Sequence, residues 1–152
     1  ELVIIRPASV YGPSARGNFS SLMKAIRNKI PLTLGLIDNQ RSLLDIENLS
    51  RIILESITSK EAVGKILLAA DDEYISTKEL VRLIAKEMKV KCYLLPVPVW
   101  LLISVAKILG KKQMIKSLTA SLKVDNSETK KILNIEHFLT VKEGIKKMVK
   151  DR

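Results

Sequence analysis

The chain opens on ELVIIRPASVYGP, residues 1–13, and the reading of this stretch decides the fold. Leu2 to Ile5 form a continuous apolar run, bounded by Pro7 and Gly12 and too short for a helix. A run that does not alternate with polar residues predicts a strand covered on both faces, as in a parallel sheet. The following Gly12-Pro13 and Gly17-Asn18 pairs predict a loop. A chain that begins inside such a strand is expected to be a piece of a larger α/β protein.

Outward from there, Phe19, Leu22, Met23 and Ile26 recur at helical spacing and predict a helix over 18–29, closed by Pro31. Leu32 to Leu34 and RSLLDI (41–46) read as short strands around a turn from Gly35 to Gln40. Leu49, Ile52, Ile53 and Ile57 mark an amphipathic helix, and KILLAA (65–70) is a further strand. The second half reads as mainly helical. Ser76-x-x-Glu79 and Thr140-x-x-Glu143 have the form of capping boxes, and Asp125 can cap a helix that carries Ile132 and Leu133. Residues 92–106 hold no charge, but the run is shorter than a spanning helix needs and Pro96 and Pro98 interrupt its start. It is expected to be a buried loop and helix rather than a membrane contact.

Composition mostly excludes. The 152 residues are 47% apolar and 28% charged, which suits a packed domain and not a disordered chain. A lone cysteine, Cys92, and a lone histidine, His137, exclude a disulfide framework and the common zinc patterns, and suit a reducing cytoplasm. The net charge of +10 falls entirely in residues 76–152, where seventeen Lys and Arg face seven acids. That half could meet phosphate-bearing partners, yet only 4% of residues are aromatic, which leaves few platforms for bases. Nucleic acid is therefore not expected, and solvated helix faces account for most of the lysines. Asp71-Asp72-Glu73 reads as a solvated turn, since three consecutive acids cannot converge on one metal. No metal site is expected, and no G-x-G-x-x-G, Walker or G-x-S-x-G pattern occurs.

The order of motifs, however, resembles a particular family. RPASVYGP, GNFSSLMKAI, PLTLG, NQRSLLDIENLSRII, KILLAADDEYISTKEL and the closing VDNSETKKILNIEHFLTVKEGI are similar to the carboxy-terminal half of the NAD(P)-dependent nucleotide-sugar epimerases and dehydratases. These are extended short-chain dehydrogenases of the UDP-galactose 4-epimerase type. RSLLDIENL is most similar to the branch of epimerases and 4-keto-sugar reductases that serves polysaccharide biosynthesis. The resemblance implies that residues 1–152 are a single α/β, mostly helical substrate-binding fragment with a few short strands. It also implies that most of the Rossmann sheet and the dinucleotide-binding domain are absent.

That family's glycine loop and catalytic Tyr-x-x-x-Lys pair both precede the RPxxxYGP strand. Tyr74 and Lys78 match the spacing, but they follow the acidic turn and Lys78 lies inside a capping box, so no catalytic residue is assigned. The resemblance instead implies substrate-binding residues. Ser9 stands where the family often has Asn facing the sugar diphosphate, and Asn18 and Phe19 lie at the nucleotide diphosphate. Leu34 lies over the uracil, Arg41 reaches the diphosphate, and Lys116 falls where some members place a second cation. Pro7 would lie near the nicotinamide. Arg41 is the foremost of these, because a guanidinium makes paired charge-assisted bonds to phosphate.

The expected function is the UDP-sugar-binding portion of an epimerase, dehydratase or reductase, inactive by itself and binding no cofactor without its other half. NAD or NADP would serve the intact enzyme. The unpaired apolar strand at Leu2–Ile5 is also expected to make the fragment a homodimer. Two other classes stay open: a non-enzymatic nucleotide- or polyanion-binding module, and a membrane-peripheral protein docking through residues 92–112.

Overall fold

The computed structural model describes residues 1–13, 17–108, 110, 115 and 118–150. The strands are β1 (Ile4–Pro7), β2 (Ser9–Tyr11), β3 (Arg41–Asp45), β4 (Ile66–Ala69) and β5 (Tyr74–Ile75). The helices used below are α1 (Asn18–Arg27), α2 (Ile46–Thr58), α3 (Thr77–Glu87), α4 (Val99–Ile108), α5 (Ser127–Leu133) and α6 (Val141–Lys150). The architecture is α/β with small sheets, as expected. β1 pairs in parallel with β4 from Ile4 opposite Ile66 to Pro7 opposite Ala69, and β3 lies between β2 and β5.

The described chain packs into two compact units. One gathers Glu1–Ala15, Ser42–Tyr74 and Lys123–Arg152, the other Arg16–Arg41 and Ile75–Leu122. In the first unit, Leu44, Ile52, Ala62, Leu67, Ala69, Leu133 and Ile135 make a continuous core. Each fully buried aliphatic side chain there contributes about 1.5–3 kcal/mol. α5 is strapped to β4 by the Thr129 hydroxyl, which donates to the Leu68 carbonyl at 2.8 Å, and by Asn126, whose amide donates to the Ala70 carbonyl at 2.7 Å. In the second unit α1 packs on α3, burying Met23, Ile26, Val81 and Ile84.

The predicted helix starts hold at the level of single bonds. In the box at α3 the Ser76 hydroxyl accepts from the Glu79 N–H at 3.1 Å, and Glu79 accepts from the Ser76 N–H at 3.0 Å. Thr140 and Glu143 repeat the exchange at α6. Asp125 accepts from the Ser127 N–H at 2.9 Å and so serves the start of α5, although Asn126 occupies the cap position.

Three expectations fail. β1 is not covered on both faces: among the described residues it pairs only with β4, and Leu2, Ile4 and, on β4, Ile66 and Leu68 are exposed. Leu32–Leu34 is not a strand; only Leu32 bridges, to Leu94. The amphipathic helix expected here forms as α2, with Ile52 buried while Ile53 and Ile57 face outward, so its apolar stripe is wider than the surface it covers. The uncharged run 92–106 is not buried either. Of the ten residues of α4 only Leu102 and Ala106 are buried, and Trp100 is 69% exposed.

Candidate functional site

RPASVYGP leads through β2 into a buried polar cluster, and the acidic turn supplies its centre. Asp71 is buried rather than solvated, which corrects the expectation for that turn. Its carboxylate accepts from the Tyr11 hydroxyl at 3.0 Å, from the Asn48 amide at 2.7 Å and from the Asp45 N–H at 3.0 Å. Asp45 ends β3 and begins α2, where its side chain accepts from the Glu47 N–H at 2.8 Å. Asn48 exchanges two bonds with the main chain of Leu139, which fixes the approach to α6. The other two acids of the turn are also engaged. Asp72 pairs with Lys130 at 2.7 Å, and Glu73 accepts from the Val141 N–H at 3.3 Å.

A glycine lets α6 come this close. A Cβ on Gly144 would lie 2.6 Å from the Tyr11 hydroxyl oxygen and 2.9 Å from the ring carbon Cε2. No real side chain tolerates that spacing, so the helix carries glycine where it crosses Tyr11. Burial raises the pKa of Asp71 and of Asp45 above the usual carboxylate range, against the hydrogen bonds each accepts. The Tyr11 hydroxyl is pushed up by burial first and by the nearby charges of Asp71 and Asp45 second, so it stays protonated and donates. Such a phenol is the opposite of an activated proton shuttle. The cluster is a structural clamp that holds β2, β3 and the starts of α2 and α6.

The residues expected at the substrate fall as follows. Pro7 ends β1 and is exposed; Ser9 opens β2 opposite Leu43 and is half-buried. Both belong to the first unit. Asn18 and Phe19 open α1, Leu34 is buried in the segment beyond it, and Arg41 opens β3, half-buried and bridged to Leu122. Those four share the second unit. Lys116 lies outside the described residues. Asn39, two residues before Arg41, is buried and clamps its segment, its amide donating to the carbonyls of Leu118 and Ala120 at 3.0 Å and its oxygen accepting from the Thr77 N–H at 2.8 Å.

Tyr74 and Lys78 do not form a pair. Lys123 lies over the Tyr74 ring at 5.3 Å from its centre, and Lys78 reaches Asp38 at 3.5 Å. A cavity of about 340 Å³ beside β1, lined by Val3, Ile5, Ile57 and Val63 among others, contains none of the expected substrate residues. Among the described residues no cluster of three or more His, Cys, Asp or Glu could hold a metal, and every buried side-chain polar atom has a hydrogen-bond partner.

Against known proteins, the chain is 40% identical over 147 residues to a UDP-glucose 4-epimerase of Vibrio cholerae, a match that covers 96% of this chain and 45% of that protein. No protein-family profile matches the sequence. Among solved structures, the UDP-glucuronic acid 4-epimerase of Bacillus cereus, in complex with NAD, superposes with a TM-score of 0.73 at 18% identity, over 98% of this chain and 43% of that one. A human epimerase family protein with NADPH gives 0.79 at 15% identity, over 99% of this chain and 48% of that one. The chain thus spans under half the length of the relatives it matches, and over that span it has their fold.

Proposed function

We propose that this chain, a relative of the nucleotide-sugar epimerases, is the carboxy-terminal substrate-binding half of such an enzyme and grips the nucleotide end of a UDP-sugar. The observation that carries the reading is the 40% identity to a UDP-glucose 4-epimerase over nearly the whole chain. Two features of the second unit support it. The first turn of α1 carries no acid, so its amides and the Asn18 side chain suit a diphosphate. Arg41 opens β3 half-buried and is bridged in parallel to Leu122, so its main chain is held. A guanidinium on so fixed a base can meet two phosphate oxygens at once. Leu34 and Phe19 complete the set as apolar cover.

The chain's own residues do not cradle a dinucleotide. The sequence has no glycine-rich phosphate loop, and Pro7, the residue nearest a nicotinamide on this reading, has no N–H to offer. A nicotinamide supplies hydride exchange when bound, and that chemistry belongs to the other half of the enzyme. The apolar residues Leu2, Ile4, Ile66 and Leu68, exposed on the small β1–β4 sheet, are the surface that half would cover. Whether the sugar is epimerised, dehydrated or reduced is set there as well.

Two measurements test the reading. The purified chain should show no turnover of UDP-glucose or UDP-galactose with NAD or NADP, and it should bind UDP with little dependence on salt. A polyanion-binding module would instead bind heparin as well as UDP and lose both steeply as salt rises.

A further inference from the structure

The outward face of α4 is apolar and bare. Placed at 100° per residue, Leu102 and Ala106 point one way and are buried, while Ile103, Trp100, Ile108, Leu101 and Val105 span the rest of the circumference and are exposed, Ile108 at 85%. Only two polar residues interrupt that arc. The Ser104 hydroxyl donates back to the Trp100 carbonyl at 2.9 Å, so it presents no unsatisfied donor. Lys107 has a stem long enough to carry its ammonium sideways out of an apolar layer. The surrounding sequence has one sign: residues 88–122 hold six lysines and no Asp or Glu. No helix among the described residues is long and apolar enough to cross a membrane, and ten residues span only about 15 Å.

We infer that α4 docks flat on an anionic lipid surface, with Trp100, Leu101, Val105 and Ile108 entering the boundary between headgroups and chains and Lys107 meeting the acidic headgroups. Charge chooses this occupant. A second copy would bring a segment of the same positive charge against this one, whereas a leaflet rich in phosphatidylserine offers the opposite charge and an apolar layer together. Tryptophan at the edge of the buried arc suits such a boundary.

The test uses the whole chain and its sole tryptophan, which is Trp100 itself. Vesicles of phosphatidylcholine with phosphatidylserine should float the protein and shift its emission to the blue. Pure phosphatidylcholine vesicles should bind about 100-fold less. Ile108→Ser should weaken partition about tenfold, whereas Ile57→Ser, an equally bare apolar residue on α2, should leave it unchanged. The inference is overturned if the protein stays with the soluble fraction, if Ile57→Ser weakens binding as much as Ile108→Ser, or if the blue shift appears without vesicles as protein concentration rises. The last result would assign the face to a second copy.

Discussion

The hydroxyl of Tyr11 donates to the carboxylate of Asp71, 3.0 Å away in space and sixty residues away in the chain. This bond ties the RPASVYGP segment to the acidic turn after β4, and Asp71 in turn holds the Asp45 N–H and the Asn48 amide. One carboxylate therefore satisfies three buried donors from two separate segments.

Loss of that carboxylate should be felt throughout the first unit. Tyr11→Phe removes one charge-assisted bond and should cost about 1.5–3 kcal/mol. Asp71→Ala leaves three donors without their acceptor and should cost more than Tyr11→Phe, on the order of 3 kcal/mol or above. Urea denaturation checks the order. An Asp71→Ala chain as stable as the parent would show that the cluster contributes nothing.

The same burial predicts an unusual pH dependence. Asp71 and Asp45 bind protons more tightly folded than unfolded, so stability should fall as pH rises from the ordinary carboxylate range, about 4, through their raised values. At lower pH the sense reverses, because Glu79 and Glu143, which close the capping boxes, titrate below the usual range and lose those bonds when protonated. The melting temperature should therefore peak at mildly acidic pH. Asp71→Asn should flatten the alkaline side of that peak, and an unchanged profile in that variant would contradict the assignment.

Gly144→Ala sets two effects against each other. Alanine favours a helix over glycine by about 1 kcal/mol. Here its methyl would press on the Tyr11 ring and hydroxyl, and overpacking of this kind costs about 1–3 kcal/mol. The net change should be a lower melting temperature. Stabilisation by this substitution would mean that α6 does not approach Tyr11 so closely.

The exposed β1–β4 sheet predicts self-association of the isolated chain. Leu2, Ile4, Ile66 and Leu68 are bare, and an open strand edge invites a second copy. Light scattering at micromolar concentration should report a dimer or larger, and Ile4→Lys should shift it toward monomer. A monomer at high concentration would refute this.

Local features were legible in the sequence because local physics specifies them. The boxes at Ser76 and Thr140 need only residues three apart, and RSLLD forms a strand from its own apolar content. What escaped depended on distant partners. Asp71 looks like its neighbours Asp72 and Glu73 in sequence, and only the arrival of Tyr11, Asn48 and β3 buries it. Charge-free residues 92–106 read as core, yet apolar content says nothing about whether a neighbour exists to cover it. Asn18, Phe19, Leu34 and Arg41 share one unit because they lie on one continuous segment of it, Arg16–Arg41, and the family resemblance alone marks them as a set.

The central claim rests most directly on Arg41 and the diphosphate. Calorimetric titration of the chain with UDP should show saturable one-to-one binding. Arg41→Ala should weaken it by roughly 10- to 150-fold, the worth of a charge-assisted bond, and Arg41→Lys should recover only part of the loss. Absence of saturable binding, or equal affinity in the parent and both variants, would contradict the account.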